Sequence, residues 1–162
     1  MDKENNTKSD AALIGPSDPA PFELLNPSSE KPMLLVCDHA SKAVPSGMDN
    51  LGLDEATMDL HVGWDIGAAE VARRLAKDLN CMAVLAGYSR LVIDNNRQPG
   101  DPTGIPAASD DIIIPGNQDL SEAEQIARTD QFFWPYHHAI TEAIAHLWRN
   151  GLPPAVFSVH TF

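Results

Sequence analysis

The chain has 162 residues, 43% of them hydrophobic and 21% charged, a single-domain length and a globular composition that exclude a wholly disordered polymer. Eleven Lys+Arg stand against 23 Asp+Glu, a formal charge of −12. That balance disfavours nucleic acid and anionic membranes as partners, but not a small anionic ligand held in a cleft by one or two arginines. Cys37 and Cys81 alone make no disulfide framework, and no apolar run is long enough to act as a leader or span a bilayer, so the expected setting is the cytoplasm.

Residues 1–30 are polar and proline-rich, with Pro16, Pro19, Pro21 and Pro27 around one apolar patch, Phe22-Glu-Leu-Leu25. They read as a flexible N-terminal arm with at most one anchored turn, ahead of a folded region over 31–162. Met33-Leu-Leu-Val-Cys37 reads as a strand buried on both faces, ending in the loop Asp38-His-Ala-Ser41. Between Asp65 and Leu79, Ala68, Val71, Ala72, Leu75, Ala76 and Leu79 recur at helical spacing. Asp65 stands where a helix cap or first-turn anion would. Cys81–Leu85 and Arg90–Asp94 read as further strands, separated by Gly87.

The stretch from Asn95 to Asn117 holds four prolines and three glycines, and a structureless length of that kind is usually functional or disordered. Ser121 with Glu124 predicts a capping box. The helix it opens carries Ile126 and Phe133, meets a kink or restart at Pro135 and resumes with Ile140, Ile144, Leu147 and Trp148 until Asn150-Gly151. Ala155–Val159 reads as a last strand. Alternating strands and helices predict an α/β layered fold with a largely parallel sheet. A buried-looking strand so near the last residue leaves little to cover its second face, so the expectation is a piece of a longer domain.

Ligands of open α/β sheets gather outside the carboxyl ends of the strands. There the sequence delivers His39 from the first strand, Asp94-Asn95-Asn96-Arg97 from the third and His160 from the last. Neutral imidazole is a preferred zinc donor, and a catalytic zinc usually takes three protein ligands. A carboxylate would complete such a set, with Asp65, Asp38 and Asp94 as the options and Asp65 favoured because its loop enters a helix. Arg97 has the fork that grips a carboxylate, with Asn95 and Asn96 as neutral partners. His61, His137, His138 and His146 are weaker candidates: His137 reads as a hydrogen-bonded core residue and His146 as a surface or groove residue.

Six segments in order carry a resemblance: Leu34-Leu-Val-Cys-Asp-His39-Ala-Ser, His61-Val-Gly-Trp-Asp65-Ile-Gly-Ala, Tyr88-Ser-Arg-Leu-Val-Ile-Asp-Asn-Asn-Arg97, Pro115-Gly-Asn117, Pro135-Tyr-His137 and Ser158-Val-His160-Thr-Phe. Together they resemble the N-formylglutamate amidohydrolase family from about Pro32 onward. The resemblance implies a fold like that of the zinc carboxypeptidases, with a central mixed sheet, and makes 31–162 the N-terminal part of one amidohydrolase domain. It implies zinc-dependent release of formate from N-formyl-L-glutamate, a step of histidine degradation, although many relatives act on unknown substrates.

By the same resemblance His39 and His160 are metal ligands, and Asn96-Arg97, flanked by Asn95, hold the carboxylate of a small anionic N-acyl amino acid. Carboxypeptidases carry a glutamate ligand three residues after the first histidine, but position 42 here is Lys, which leaves Asp65 as the third ligand. The general-base glutamate of such enzymes is expected beyond Phe162, so the fragment alone is expected to be inactive. A zinc peptidase or deacylase for another acyl group, or a non-catalytic carboxylate-binding domain, are the alternatives.

Overall fold

The computed structural model describes residues 12–149 and 151–162. Residues 1–11 of the expected arm, and Asn150 of the expected helix stop, lie outside them. In chain order the strands are β1 (Phe22–Leu25), β2 (Met33–Cys37), β3 (Met82–Ala86), β4 (Ala108–Ser109), β5 (Ile112–Ile113) and β6 (Ala155–Ser158). The helices are α1 (Glu55–Met58), α2 (Ala68–Leu79), α3 (Glu122–Arg128) and α4 (Trp134–Trp148).

Four strands form one sheet in the order β1-β3-β2-β6, with β1 antiparallel to β3 and the other pairs parallel. The fold is therefore α/β with a mixed, mostly parallel sheet. Leu34 through Cys37 and all of β3 are buried, as continuous apolar runs covered on both faces must be. On one face Leu35, Cys37, Ala83 and Leu85 pack against Ala68, Ala69, Ala72 and Ala76 of α2; a stripe of alanines lets the helix lie close. On the other, Leu34, Val36, Met82, Val84 and Ala86 pack against Tyr136, Ala139, Ala143 and Leu147 of α4. β6 differs, with Val156 48% and Phe157 50% exposed. No helix among the described residues is long and apolar enough to cross a membrane.

Several expectations need correction. The part of the arm within 12–30 is tied to the domain. β1 extends the sheet, Asn26 Nδ2 donates to the carbonyls of Ala76 and Cys81, and Ser29 Oγ donates to Asn80 O. Residues 19–21 run so close to Gly87 that a Cβ there would stand 2.0 Å from Ala20 O. The apolar patch was long enough for a strand, and proline-rich flanks do not prevent edge pairing.

Arg90–Asp94 is not a strand. Leu91, Val92 and Ile93 are buried, but Ser89 turns the chain: its Oγ accepts from Leu91 N and its carbonyl from Val92 N. A short apolar run records burial, not extension, and the local hydroxyl competes with a ladder. The stretch 95–117 is not structureless either. It holds β4 and β5, joined through Asp110 and Asp111 at positive φ, and a tight helical turn at Pro115–Asn117.

The helix expected from Asp65 begins at Ala68, because Gly67 before it takes a left-handed φ of 82° and no side chain caps it. Ser121 and Glu124 do form the reciprocal capping box. The break at Pro135 appears as one wide turn over Thr129–Phe133, after which α4 restarts with Pro135 in its first turn.

Candidate metal centre

β2 and β6 are parallel neighbours, so each delivers the residue two beyond its last position to the same rim. Those residues are His39 and His160, far apart in sequence, whose ring centroids stand 5.1 Å apart. Asp65 reaches the rim differently. Its backbone N–H donates to His39 O at 3.0 Å, and its carboxylate, free of any capping role, points between the two rings. Asp65 Oδ2 lies 2.8 Å from His160 Nδ1, and Oδ1 lies 3.3 Å from His39 Nδ1. One ligand atom from each of the three lies within 4.8 Å of the others.

The far nitrogen of each imidazole also meets a carboxylate. His39 Nε2 lies 2.7 Å from Asp94 Oδ1, and His160 Nε2 lies 3.2 Å from Asp38 Oδ2. A partner on the far nitrogen fixes ring orientation and leaves Nδ1 to face the centre. Asp94 is in turn gripped by Asn96 N at 2.8 Å and Arg90 Nη2 at 3.1 Å. Burial works against its charged form, but the His39 contact, the Asn96 N–H and Arg90 outweigh that and hold its carboxyl below the usual carboxylate range. Arg90 also stands 3.7 Å from Asp65 Oδ1. Tyr136 Oη donates to Asp38 Oδ1 at 2.7 Å. Burial, reinforced by the Asp38 charge, pushes that hydroxyl well above its ordinary range, so it stays a donor.

The donor set fits a divalent metal. His39 Nδ1 is buried and has no hydrogen-bond partner among the described residues, since the 3.3 Å approach of Asp65 is not a hydrogen bond. Asp38, Asp65 and Asp94 are each at most 8% exposed, and Arg90 is the guanidinium paired with two of them. Buried carboxylates in that excess are costly without a cation between them, and imidazole with carboxylate is a borderline-soft set suited to zinc.

The other candidate residues are distributed around this centre. Asn95 is buried with its Oδ1 unpartnered among the described residues, and its carbonyl accepts from His137 Nε2 at 3.0 Å. Asn96 and Arg97 are exposed. Arg97 forms no ion pair with any described residue and lines, with Asp94, Asp101 and Gln125, a cleft of about 200 Å³ that excludes the three clustered residues. Asp94 is the link between cleft and centre. Lys42 pairs with Asp59, both exposed, outside the cluster. His61 pairs with exposed Asp110, His138 stacks on Trp134, and His146 sits on α4 with a buried Nε2; none reaches the centre.

The loop bearing Asp94 is braced from behind. Arg128 is 4% exposed and donates to Val92 O, Asn117 Oδ1 and Gly116 O, while Asn117 Nδ2 donates to Leu91 O and Pro106 O. Burial draws the Arg128 guanidinium down to about 10, so it remains charged at neutral pH. Arg90, Tyr136, Ser158 and Arg128 escaped the sequence reading. Three of them lie inside the motif segments quoted above, which is the signal that was present; Arg128 on its helix face gave none.

No curated protein matches the chain. Among solved structures, a gene product from Agrobacterium tumefaciens is 36% identical with a TM-score of 0.89, covering 93% of this chain and 60% of its own. An N-formylglutamate amidohydrolase from Ralstonia eutropha JMP134 is 23% identical with a TM-score of 0.73, covering 89% of this chain and 58% of its own. The chain thus spans about 60% of the length of these relatives. The family model for N-formylglutamate amidohydrolase matches residues 31–162, the region that holds the three parallel strands β2, β3 and β6, both imidazoles and Asp65. The chain belongs to the N-formylglutamate amidohydrolase family.

Proposed function

We propose that the full-length protein hydrolyses the amide bond of an N-acyl amino acid, with N-formylglutamate, giving formate and L-glutamate, as the type substrate. The observation that carries this reading is the buried, unpartnered Nδ1 of His39 beside Asp65 and His160, three donors gathered within 4.8 Å. In this reading His39, Asp65 and His160 would hold zinc, which would supply Lewis-acid chemistry for the hydrolysis. Asp94 and Arg90 keep His39 and Asp65 in place. Arg97, exposed and without an ion-pair partner among the described residues, grips the substrate's carboxylate with Asn96, and Asn95 shapes the turn beneath them.

No glutamate takes part in the hydrogen bonds or ion pairs of the centre among the described residues. As the family resemblance implies, the proton transfer to the leaving amine falls to a glutamate in the part of the relatives' length that this chain does not span, and activity is expected of the full-length protein.

Metal analysis and formate release, measured together on the full-length protein, test the reading. Stoichiometric zinc is expected, with activity lost in His39→Ala and His160→Ala and KM raised in Arg97→Ala. Protein that carries no metal and still releases formate overturns the mechanism. Zinc with turnover of a different acyl amino acid moves the substrate to another deacylase or peptidase. Carboxylate binding that needs Arg97 but neither histidine marks a non-catalytic binding domain.

A further inference from the structure

Asp38 is not placed as a ligand: neither of its oxygens belongs to the three-donor cluster. It lies behind His160, and its surroundings are fully specified. Oδ1 accepts from the buried Tyr136 hydroxyl of α4 at 2.7 Å, and Oδ2 accepts from Ser158 Oγ at 3.3 Å and faces His160 Nε2 at 3.2 Å. Ser158 Oγ is also 2.9 Å from that nitrogen. The partners on the Nε2 side of the ring fix the proton arrangement there. An ionised carboxylate is an acceptor only, so a nitrogen 3.2 Å from it must carry a hydrogen. The Ser158 hydroxyl then accepts from Nε2 and donates to Asp38, and the Tyr136 hydroxyl donates to the other oxygen. On that side every donor is used, and Nδ1 faces Asp65 Oδ2 at 2.8 Å, where a metal shared by the two would take its lone pair.

We propose that Asp38 is a positioning residue that sets the tautomer and aim of His160, with Tyr136 and Ser158 holding the carboxylate in place. The inference rests on the metal reading for its consequence but not for its geometry. Asp38 immediately precedes His39 on the end of β2, so the central strand aims both imidazoles, one by carrying it and one by bracing it across the β2–β6 pair. That matters because β6 is the exposed strand and has few side-chain contacts of its own to fix a ring. Partners of this kind behind a metal-binding histidine are typically worth about 10–100-fold in metal affinity.

The test uses the full-length protein and two readouts: zinc affinity by chelator competition, and the ring-nitrogen NMR shifts of His160 in metal-free protein. Asp38→Asn is expected to weaken zinc by about 10–100-fold and to shift the His160 ring nitrogens away from the Nε2–H form. Asp38→Glu should restore part of both. Tyr136→Phe and Ser158→Ala leave the carboxylate present and should give smaller changes of the same sign, which decides the matter should the Asp38 variants fail to fold. Unchanged His160 shifts across the folded variants overturn the proposal. A wild-type protein that binds no zinc defeats the metal reading alone, because the NMR signature still reports on Asp38.

Discussion

His39 and His160 offer the same ring nitrogen to one centre, yet they hang from unlike parts of the sheet. β2 is covered by α2 on one side and α4 on the other, and His39 beyond it is 3% exposed. β6 is bonded to β2 along one edge and exposed on both faces, and the side chain of His160 is 21% exposed. The rigid half of the centre is held by apolar packing. The other half is held by polar contacts: the β2 ladder, Val159 N on Val36 O, Thr161 Oγ1 on Ile66 O, and Asp38 on the His160 ring. A site split in this way takes its precision from the core and its adjustability from the edge.

The largest break in this contrast should come from the core. Leu35→Ala empties a buried position and is expected to cost about 3–4 kcal/mol, whereas Val156→Ala on half-exposed β6 should cost less than about 1 kcal/mol. Denaturant midpoints of the two variants measure the difference, and equal losses would dissolve the distinction.

Next in size is Arg128→Ala, which strips three acceptors of their donor beneath the loop that anchors His39. A loss of about 2–3 kcal/mol is expected. Amide exchange should rise first over 91–97 and not over β6; exchange rising equally at both would show that the loop and the edge open together.

The smallest effect is one of pH. The Asp94 carboxyl is held below its unfolded value near 3.9. Its contribution to stability is therefore full above that value and lost as pH falls through the lower, folded one. In metal-free protein Asp94→Asn should flatten the acid limb of the stability curve without altering exchange in β6. A variant with the wild-type acid limb would place the acid sensitivity elsewhere.

The periodic parts of the fold were legible. The alanine and leucine spacing of α2, the Ser121–Glu124 box and the apolar runs of β2 and β3 are local patterns, and local patterns survive into the structure because each element buries the face its own sequence supplies. The same rule misread Leu91–Ile93, since a short buried run looks alike in a strand and in a loop pinned by a serine. It also missed β1, whose partner strand lies some sixty residues away.

Of the centre, His39, His160 and Asp65 were legible as residue types at strand or helix ends. The roles of Asp38 and Asp94 were not, because three acidic neighbours are chemically equivalent until distances tell which faces Nδ1 and which faces Nε2. Sequence alone determined the periodic elements, the family and the donors available. Only the tertiary structure decided which carboxylate meets which nitrogen, because that depends on strand order and on the path of a buried loop, both set by packing between residues distant in the chain.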